Sequence, residues 1–373
     1  MVGNQILLTI NSGSSSCKAA LFTLTPSIEL IADLTVGRAD TGSPFGAIQE
    51  WLENLTRNKQ LVAIGHRFVH GGALYTAPQL ISSNVLNDLE GLQTLDPLHA
   101  EPSNKLIREL ASRYPDIPQV VCFDTSFFAD LPAVAKRIAL PEAISDAGVR
   151  RYGFHGLSYM YVQREFERLA GTIAKDGRVI YSHLGSGSSL AATKDGRVID
   201  TTMGFSPVSG IPSSTRSGDI DPTIVSFVQK RQGITADEFT EIAQTKSGLL
   251  AVSGTSGDMK HLLEIEADDH RAKEAVDLYV YHVQKAIGAL AATIGGLDSL
   301  IFTGGIGEES AIIRERVCAG LSFLGVALNA DKNSQHEFTI SADSSSAGVH
   351  VIRTNEAAII AEQTMRLTEG AHV

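Results

Sequence analysis

Two stretches of this 373-residue chain follow one plan, and that repetition restricts the fold more than any other feature. ILLTINSGSSSCKAALF at 6–22 and VIYSHLGSGSSLAATK at 179–194 each run from an apolar strand through a Gly/Ser turn into a second run of small and apolar residues. The pattern predicts a duplicated β-hairpin, one copy per domain, and the length suits about two domains at roughly 100–200 residues each. Glycine lacks a Cβ and reaches positive φ, so each turn can bring backbone N–H groups and hydroxyls close to an anion. Two facing hairpins would clamp a polyphosphate; two ordinary tight hairpins are the other reading of the same residues.

Around the hairpins, the short apolar runs VAIGHRFVHGG, QVVCF and LIFTGGIG alternate with helical patterns that have charged faces, the signature of an α/β protein. The longest predicted helix covers 271–294, with Ala275, Leu278, Val283, Ile287, Leu290 and Ile294 near helical spacing and no proline. AIGALAATIGGL at 286–297 is too short to cross a bilayer and reads as a buried helix. A net charge of −11 argues against nucleic acid or an anionic membrane as partner, so any bound anion needs a local basic pocket. Three widely spaced cysteines, Cys17, Cys122 and Cys318, contain no CxxC pair, which fits a reducing cytoplasm, and the N-terminus does not read as a signal peptide.

Several segments carry residue types suited to chemistry. IGHRFVHGG at 64–72 is predicted as a strand entering a glycine turn, with Arg67 and Val69 on one face and His66, Phe68 and His70 on the other. His66 and His70 lack helical i, i+4 geometry on a strand, so a hydrogen-bonded structural role is preferred to a zinc pair. A guanidinium beside a small apolar wall suits a short carboxylate with an alkyl tail. Asp124 follows the strand VVCF, where open α/β sheets place ligands; it serves either a metal or reacting group, or a turn. His155, between Gly153 and Gly156, is either a phosphoryl hydrogen-bond donor or a turn histidine. The Gly/Pro/Ser-rich stretch 201–222 holds Arg216, Asp219 and Asp221, and so long a loop is usually functional. LIFTGGIGEES at 300–310 is predicted to turn at its glycines and enter a helix at Glu308 and Glu309. It lacks the GK[ST] ending of a Walker A loop and the spacing of GxGxxG. Glu356 opens a terminal apolar helix, where a carboxylate either answers the helix dipole or serves a site.

Taken in order, NSGSSS (11–16), HRFVHGG (66–72), FDTSF (123–127), RYGFHG (151–156), HLGSGSS (183–189), MGFSP (203–207), TRSGDIDP (215–222), SGLL (247–250), FTGGIGEES (302–310) and TNE (354–356) resemble the acetate kinase family of the actin-like ATPase superfamily. The resemblance spans nearly the whole chain. It implies an α/β fold of two ribonuclease H-like domains with a duplicated βββαβα core, residues 1–124 plus 358–373 and residues 125–357, an active site in the cleft between them, and a homodimer. It implies reversible transfer of phosphate from ATP to acetate, giving acetyl phosphate and ADP; the alternatives are a propionate or butyrate kinase, or an actin-like nucleotide binder that turns over weakly.

Carried over position by position, Asn11 and Glu356 would hold Mg²⁺ or Mn²⁺, with Asp124 near the metal and phosphoryl centre. Arg67 and Arg216 would bind the carboxyl or phosphoryl group, and His155 and His183 would contact the transferring phosphoryl. Val69, Leu98, Phe154 and Pro207 match the acyl pocket. Ser14, Lys18, Gly185, Gly187, Asp258, Gly304, Gly305, Ile306 and Gly307 match the nucleotide site. The chain departs from the family pattern at Phe128 and Tyr159, where histidine is usual, at Leu157, where threonine is usual, at Ser186, where asparagine is usual, and at 211–214. Replacing Arg67 or Arg216 by Ala is expected to lower kcat/KM with little change in stability.

Overall fold

Both Gly/Ser segments fold as hairpins. In the first, β1 (Gln5–Ser12) pairs antiparallel with β2 (Ser16–Thr23), with Asn11 opposite Lys18 and Ser12 opposite Cys17. In the second, β7 (Arg178–His183) pairs antiparallel with β8 (Ser189–Lys194), closing at His183 opposite Ser189. The computed structural model describes residues 5–13, 16–24, 28–37, 44–56, 59–95, 97–172 and 176–369, with the backbone alone at 97–99.

The chain divides into two units, residues 1–129 with 154–161 and 355–373, and residues 130–153 with 162–354. Set beside the division expected from sequence, the first unit also takes in 125–129, 154–161 and 355–357.

The first unit is built on a six-stranded sheet in the order β3-β2-β1-β4-β6-β5. Here β3 is Glu29–Gly37, β4 Gln60–Phe68, β5 Gln79–Leu80 and β6 Gln119–Phe123. β1, β4 and β6 run parallel, so their C-terminal ends lie along one edge. The terminal helix Glu356–Glu369 packs across these three strands. Its close approach requires a bare backbone at Gly65, where a Cβ would lie 2.3 Å from Thr364 Oγ1 and 2.6 Å from Ile360 Cγ2. On alternate residues of β4, Ala63 packs with Ala361 of that helix, whereas Ile64 and Phe68 pack with Leu106 and Ile107 of the helix Pro97–Arg113.

The second unit repeats the arrangement in a sheet of order β11-β10-β7-β8-β9. Its β9 is Arg197–Thr201, β10 Ser299–Thr303 and β11 Gly348–Val351. Three antiparallel strands again lead to parallel neighbours, so the duplication inferred from the turns extends to topology. The predicted long helix spans His270–Ile294; the Asp269 side chain accepts from the N–H groups of Arg271 and Ala272, and Gly295 ends it at φ 80°. Ala275, Val283, Ile287, Leu290 and Ile294 are buried, but Leu278 is half-buried and Tyr279 takes the fully buried position beside it. Among the described residues, no helix is long and apolar enough to cross a membrane.

Candidate active site

In the first unit, four predicted residues from distant parts of the chain join in one hydrogen-bonded line. Arg67, the penultimate residue of β4, donates from Nε and Nη2 to both carboxylate oxygens of Asp124, with Nη2 at 2.6 Å from Oδ2. Its Nη1 donates to Asn11 Oδ1 at 3.0 Å, and Asn11 Nδ2 donates to Glu356 Oε2 at 2.5 Å. Asn11, Arg67 and Asp124 meet because they lie at the ends of the parallel strands β1, β4 and β6. Glu356 joins them as the first residue of the helix covering the same strands.

The Asp124 side chain is 1% exposed and that of Arg67 13%, so this is a buried ion pair. Its bidentate geometry fixes the plane of the guanidinium. Removing Arg67 would strand a buried carboxylate, at a cost of about 3–5 kcal/mol. The expectation that Arg67→Ala spares stability is therefore corrected; the sequence does not reveal a partner 57 residues away.

His155 lies on backbone that the neighbouring Gly156 brings against Asp124. Gly153 has φ 73° and His155 itself φ 61°, a left-handed conformation that costs a residue with a Cβ about 1 kcal/mol or more. Gly156 then begins the helix Gly156–Ala170 against the backbone of Asp124, where a Cβ would lie 1.9 Å from the Asp124 carbonyl oxygen. Strained backbone next to an ion-paired Asp is characteristic of a functional site. Phe154 is buried and meets His70 edge to face at 5.3 Å. Val69 is also buried, but it lies just past the end of β4, so the alternation argument that paired it with Arg67 stops at Phe68.

His66 has a structural role. Its Nε2 lies 2.7 Å from Gln119 Oε1, and burial lowers its pKa from 6.5 to about 4 despite that hydrogen bond. The departures Phe128, Tyr159 and Leu157 are all buried. Phe128 and Tyr159 meet edge to face at 5.9 Å, both against Phe127, and Leu157 packs with Cys122, Ile359 and Ile360.

In the second unit, the turns after β7 and β10 are knitted together. Leu184 N donates to Thr303 O at 2.8 Å, while Ile306 N and Gly307 N donate back to Leu184 O. Gly304, at φ 76°, passes 2.7 Å from that oxygen by the position its Cβ would take. The helix begins at Gly304 and runs to Glu309, four residues earlier than expected from sequence. The carboxylate that was predicted to open it, Glu308, instead turns back to accept from Gly304 N, Thr303 Oγ1 and Thr354 N. Arg314, which is fully buried, donates to the carbonyls of Gly307 and Glu308 and holds this turn from behind; burial lowers its pKa to about 10.

The turn of Gly185 and Gly187 is held by Ser188, whose Oγ donates to Gly185 O and meets Tyr279 Oη at 2.8 Å. The departing segment 211–214 also supports it: Ser213 Oγ accepts from Ser188 N, and Ser214 N donates to Ser186 O. SGLL braces the Arg216 loop, since Leu249 N donates to Ser213 O and Gly248, at φ 61°, leaves no room for a Cβ. Arg216 Nη1 donates to Pro207 O at 3.3 Å. Arg314 and Tyr279 were not singled out in the sequence: Arg314 is a buried charge whose partners include backbone carbonyls, and Tyr279 meets the Ser188 hydroxyl 91 residues away.

The remaining assignments differ in what supports them. Lys18 is exposed opposite Asn11. Asp258 is exposed and accepts from Lys260 N as the N-cap of the helix Met259–Ile265, which accounts for it structurally. Ser14 and the Leu98 side chain lie outside the described residues.

For a divalent cation, the test is the donor set. Asn11 and Glu356 place a carboxamide and a carboxylate in direct contact at strand and helix ends, with the Asp124 carboxylate on the same network. Mg²⁺ takes hard oxygen ligands, and one or two carboxylates with substrate phosphates suffice. The residues fit.

Residues 39–362 match the family described as the Acetokinase family. An acetate kinase of Rhodopseudomonas palustris is 40% identical over 98% of this chain and 99% of its own length. One from Heliobacterium modesticaldum is 38% identical over 98% and 100%. Among solved structures, Porphyromonas gingivalis acetate kinase superposes with a TM-score of 0.85 at 33% identity, covering 97% of this chain and 99% of that one. A propionate kinase from Francisella tularensis superposes with a TM-score of 0.88 at 32% identity and the same coverage.

Proposed function

The chain belongs to the acetokinase family, and from that premise we propose that it transfers the γ-phosphoryl group of ATP reversibly to acetate, giving acetyl phosphate and ADP. The observation that carries this reading is the line Glu356–Asn11–Arg67–Asp124 at the ends of the parallel strands. A small carboxylic acid is already ionised at pH 7, so its attack on phosphorus needs no strong base. It needs two anions brought into line with their charges neutralised.

Arg67, its plane held by Asp124, and Arg216 provide fixed positive charge for the carboxylate and the phosphoryl group. His155 and His183 donate hydrogen bonds to phosphoryl oxygens. Bound Mg²⁺ or Mn²⁺ supplies further charge neutralisation on the phosphates, and Asn11 and Glu356 are the residues that would hold it. The braced turns at Gly185–Gly187 and Gly304–Gly307 present backbone to the nucleotide, with Ser14, Lys18 and Asp258 as further contacts. The same reading makes the protein a cytoplasmic homodimer with no nucleic-acid or membrane partner, supported by its net charge of −11 and the family resemblance.

Val69, Leu98, Phe154 and Pro207 form the acyl pocket in this reading. They offer no polar group for a hydroxyl, so the acid carries a plain alkyl tail. Similarity to a propionate kinase supports a second reading with propionate as the preferred acid. Initial rates of ADP release with hydroxylamine trapping, measured for acetate, propionate and butyrate, separate the two. Acetate should lead propionate by roughly 10- to 200-fold in kcat/KM. Val69→Ala should narrow or reverse that gap, and an unchanged gap would remove Val69 from the acyl wall.

A further inference from the structure

Two carboxylates of the segment TRSGDIDP, Asp219 and Asp221, have no part in the reaction described above, and the structure sets them apart. Asp221 acts locally: its Oδ1 accepts from Thr223 N and Thr223 Oγ1, two residues on, ahead of the helix Thr223–Gln232. Asp219 reaches across the loop. Its Oδ1 accepts from Gly210 N at 2.8 Å, and its own N donates to Gly210 O at 2.9 Å, so one residue closes a clasp on both polar groups of Gly210. Gly218 permits the close approach: at φ 73°, a Cβ there would lie 2.8 Å from Gly210 O and from Pro212 N.

The clasp holds one end of the segment that carries Pro207. That segment is tied within itself, as Ser209 Oγ accepts from Gly204 N at 2.7 Å and donates to Ser206 O at 3.1 Å. Its other end is anchored where Gly204 O accepts from Tyr152 N at 2.9 Å. Between the two anchors, Pro207 O accepts from Arg216 Nη1 at 3.3 Å, a long hydrogen bond that holds the segment weakly. The backbone around Arg216 is held separately, with Thr215 Oγ1 donating to Gln244 O and Ser217 N to Ala243 O. Loss of the Asp219 acceptor would therefore loosen the Pro207 side and leave the Arg216 backbone in place.

We propose that Asp219 is a positioning residue for the acyl substrate, its carboxylate holding Gly210 so that Pro207 stays in register with Arg216; this rests on the reading that Arg216 and Pro207 serve the acid. Burial and the nearby Lys285 lower the pKa of His282, and Asp219 raises it, so the Asp219 carboxylate also acts through its charge. Asparagine separates the two effects, because its amide oxygen accepts from Gly210 N without the charge.

The test is kcat and KM for acetate and for ATP, with hydrogen–deuterium exchange of the peptide covering 204–210, in wild type, Asp219→Ala, Asp219→Asn and Asp221→Ala. Asp219→Ala should lower kcat/KM for acetate about 10-fold, the effect of one hydrogen bond to a charged group, while KM for ATP stays within about twofold. Exchange in 204–210 should quicken in that variant. Asp219→Asn should remain within about threefold of wild type in both readouts, and Asp221→Ala should match wild type. An unchanged kcat/KM for acetate in Asp219→Ala, an equal loss in Asp219→Asn, or an equal rise in KM for ATP overturns the proposal. Exchange is read without turnover, so its failure is distinct from a failure of the kinase reading: unchanged exchange in Asp219→Ala overturns the clasp whatever the activity.

Discussion

Gly156→Ala tests whether the backbone contact between Gly156 and Asp124 sets the geometry of the site. The added Cβ would lie 1.9 Å from the Asp124 carbonyl oxygen, 2.8 Å from Phe127 Cβ and 3.0 Å from the Asp124 carbonyl carbon. A tolerated carbon–oxygen contact is about 3.3 Å or more, so one segment must move by roughly 1.4 Å. All three neighbours are backbone or Cβ atoms, which cannot swing aside as a long side chain would. The shift falls on Asp124, and through its 2.6–3.2 Å hydrogen bonds on Arg67, and also on His155 next to the substitution. A displacement of about 1 Å at a reacting centre costs about 10²-fold, or about 2.7 kcal/mol in the barrier. Overpacking should cost a further 1–3 kcal/mol or so of stability. The assay is steady-state hydroxamate formation at saturating ATP and acetate, with thermal unfolding of the same preparations. Gly91→Ala, where nothing lies within 4 Å of the new Cβ, serves as the control and should keep full activity. A folded Gly156→Ala protein within about threefold of wild-type kcat would refute the reasoning, which takes a shift of that size to cost far more.

Three further outcomes are expected. Arg216→Ala should lower kcat/KM by about 10²-fold or more while leaving the thermal midpoint nearly unchanged, and Arg67→Ala should lose as much activity and also stability; full activity in either folded variant contradicts its role. Asp124→Ala and Glu356→Ala should raise the Mg²⁺ concentration needed for half-maximal rate, and a metal titration that matches wild type would remove them from the metal site. His66, held neutral with its pKa at about 4 against 6.5, takes up its proton more readily in the unfolded chain. Its contribution is therefore complete above pH 6.5 and falls as pH drops toward 4, by about 2 kcal/mol at pH 5. Urea unfolding at pH 7.5 and pH 5 should show that loss, and in His66→Gln the pH dependence should shrink by the same amount; an unchanged slope would assign the loss elsewhere.

Local pattern made part of this structure legible in the chain. The hairpins announce themselves because an apolar run, a Gly/Ser turn and a second run need only neighbouring residues to form. The helix His270–Ile294 follows from its 3.6-residue periodicity, yet choosing between Leu278 and Tyr279 for the core depended on Ser188, which lies 91 residues away and receives the tyrosine hydroxyl. The early helix start at Gly304 was hidden because a Gly-Gly pair reads as a turn. There, Leu184 O and the Glu308 carboxylate satisfy the backbone N–H groups that would otherwise favour a loop. Arg67, Asp124, Asn11 and Glu356 were each recognisable from their motifs, but their order along one hydrogen-bonded line is a tertiary fact. Strand order determines it, and so does the return of the chain's last helix to the first sheet.

The most direct measurement of the central claim is ³¹P NMR of the purified protein with ATP, acetate and Mg²⁺. The account predicts that the γ-phosphate resonance of ATP declines while an acetyl phosphate resonance rises in one-to-one proportion, that added ADP and acetyl phosphate run the exchange backward, and that both changes nearly vanish in Arg216→Ala. ATP that persists unchanged, or that yields only inorganic phosphate, would contradict it.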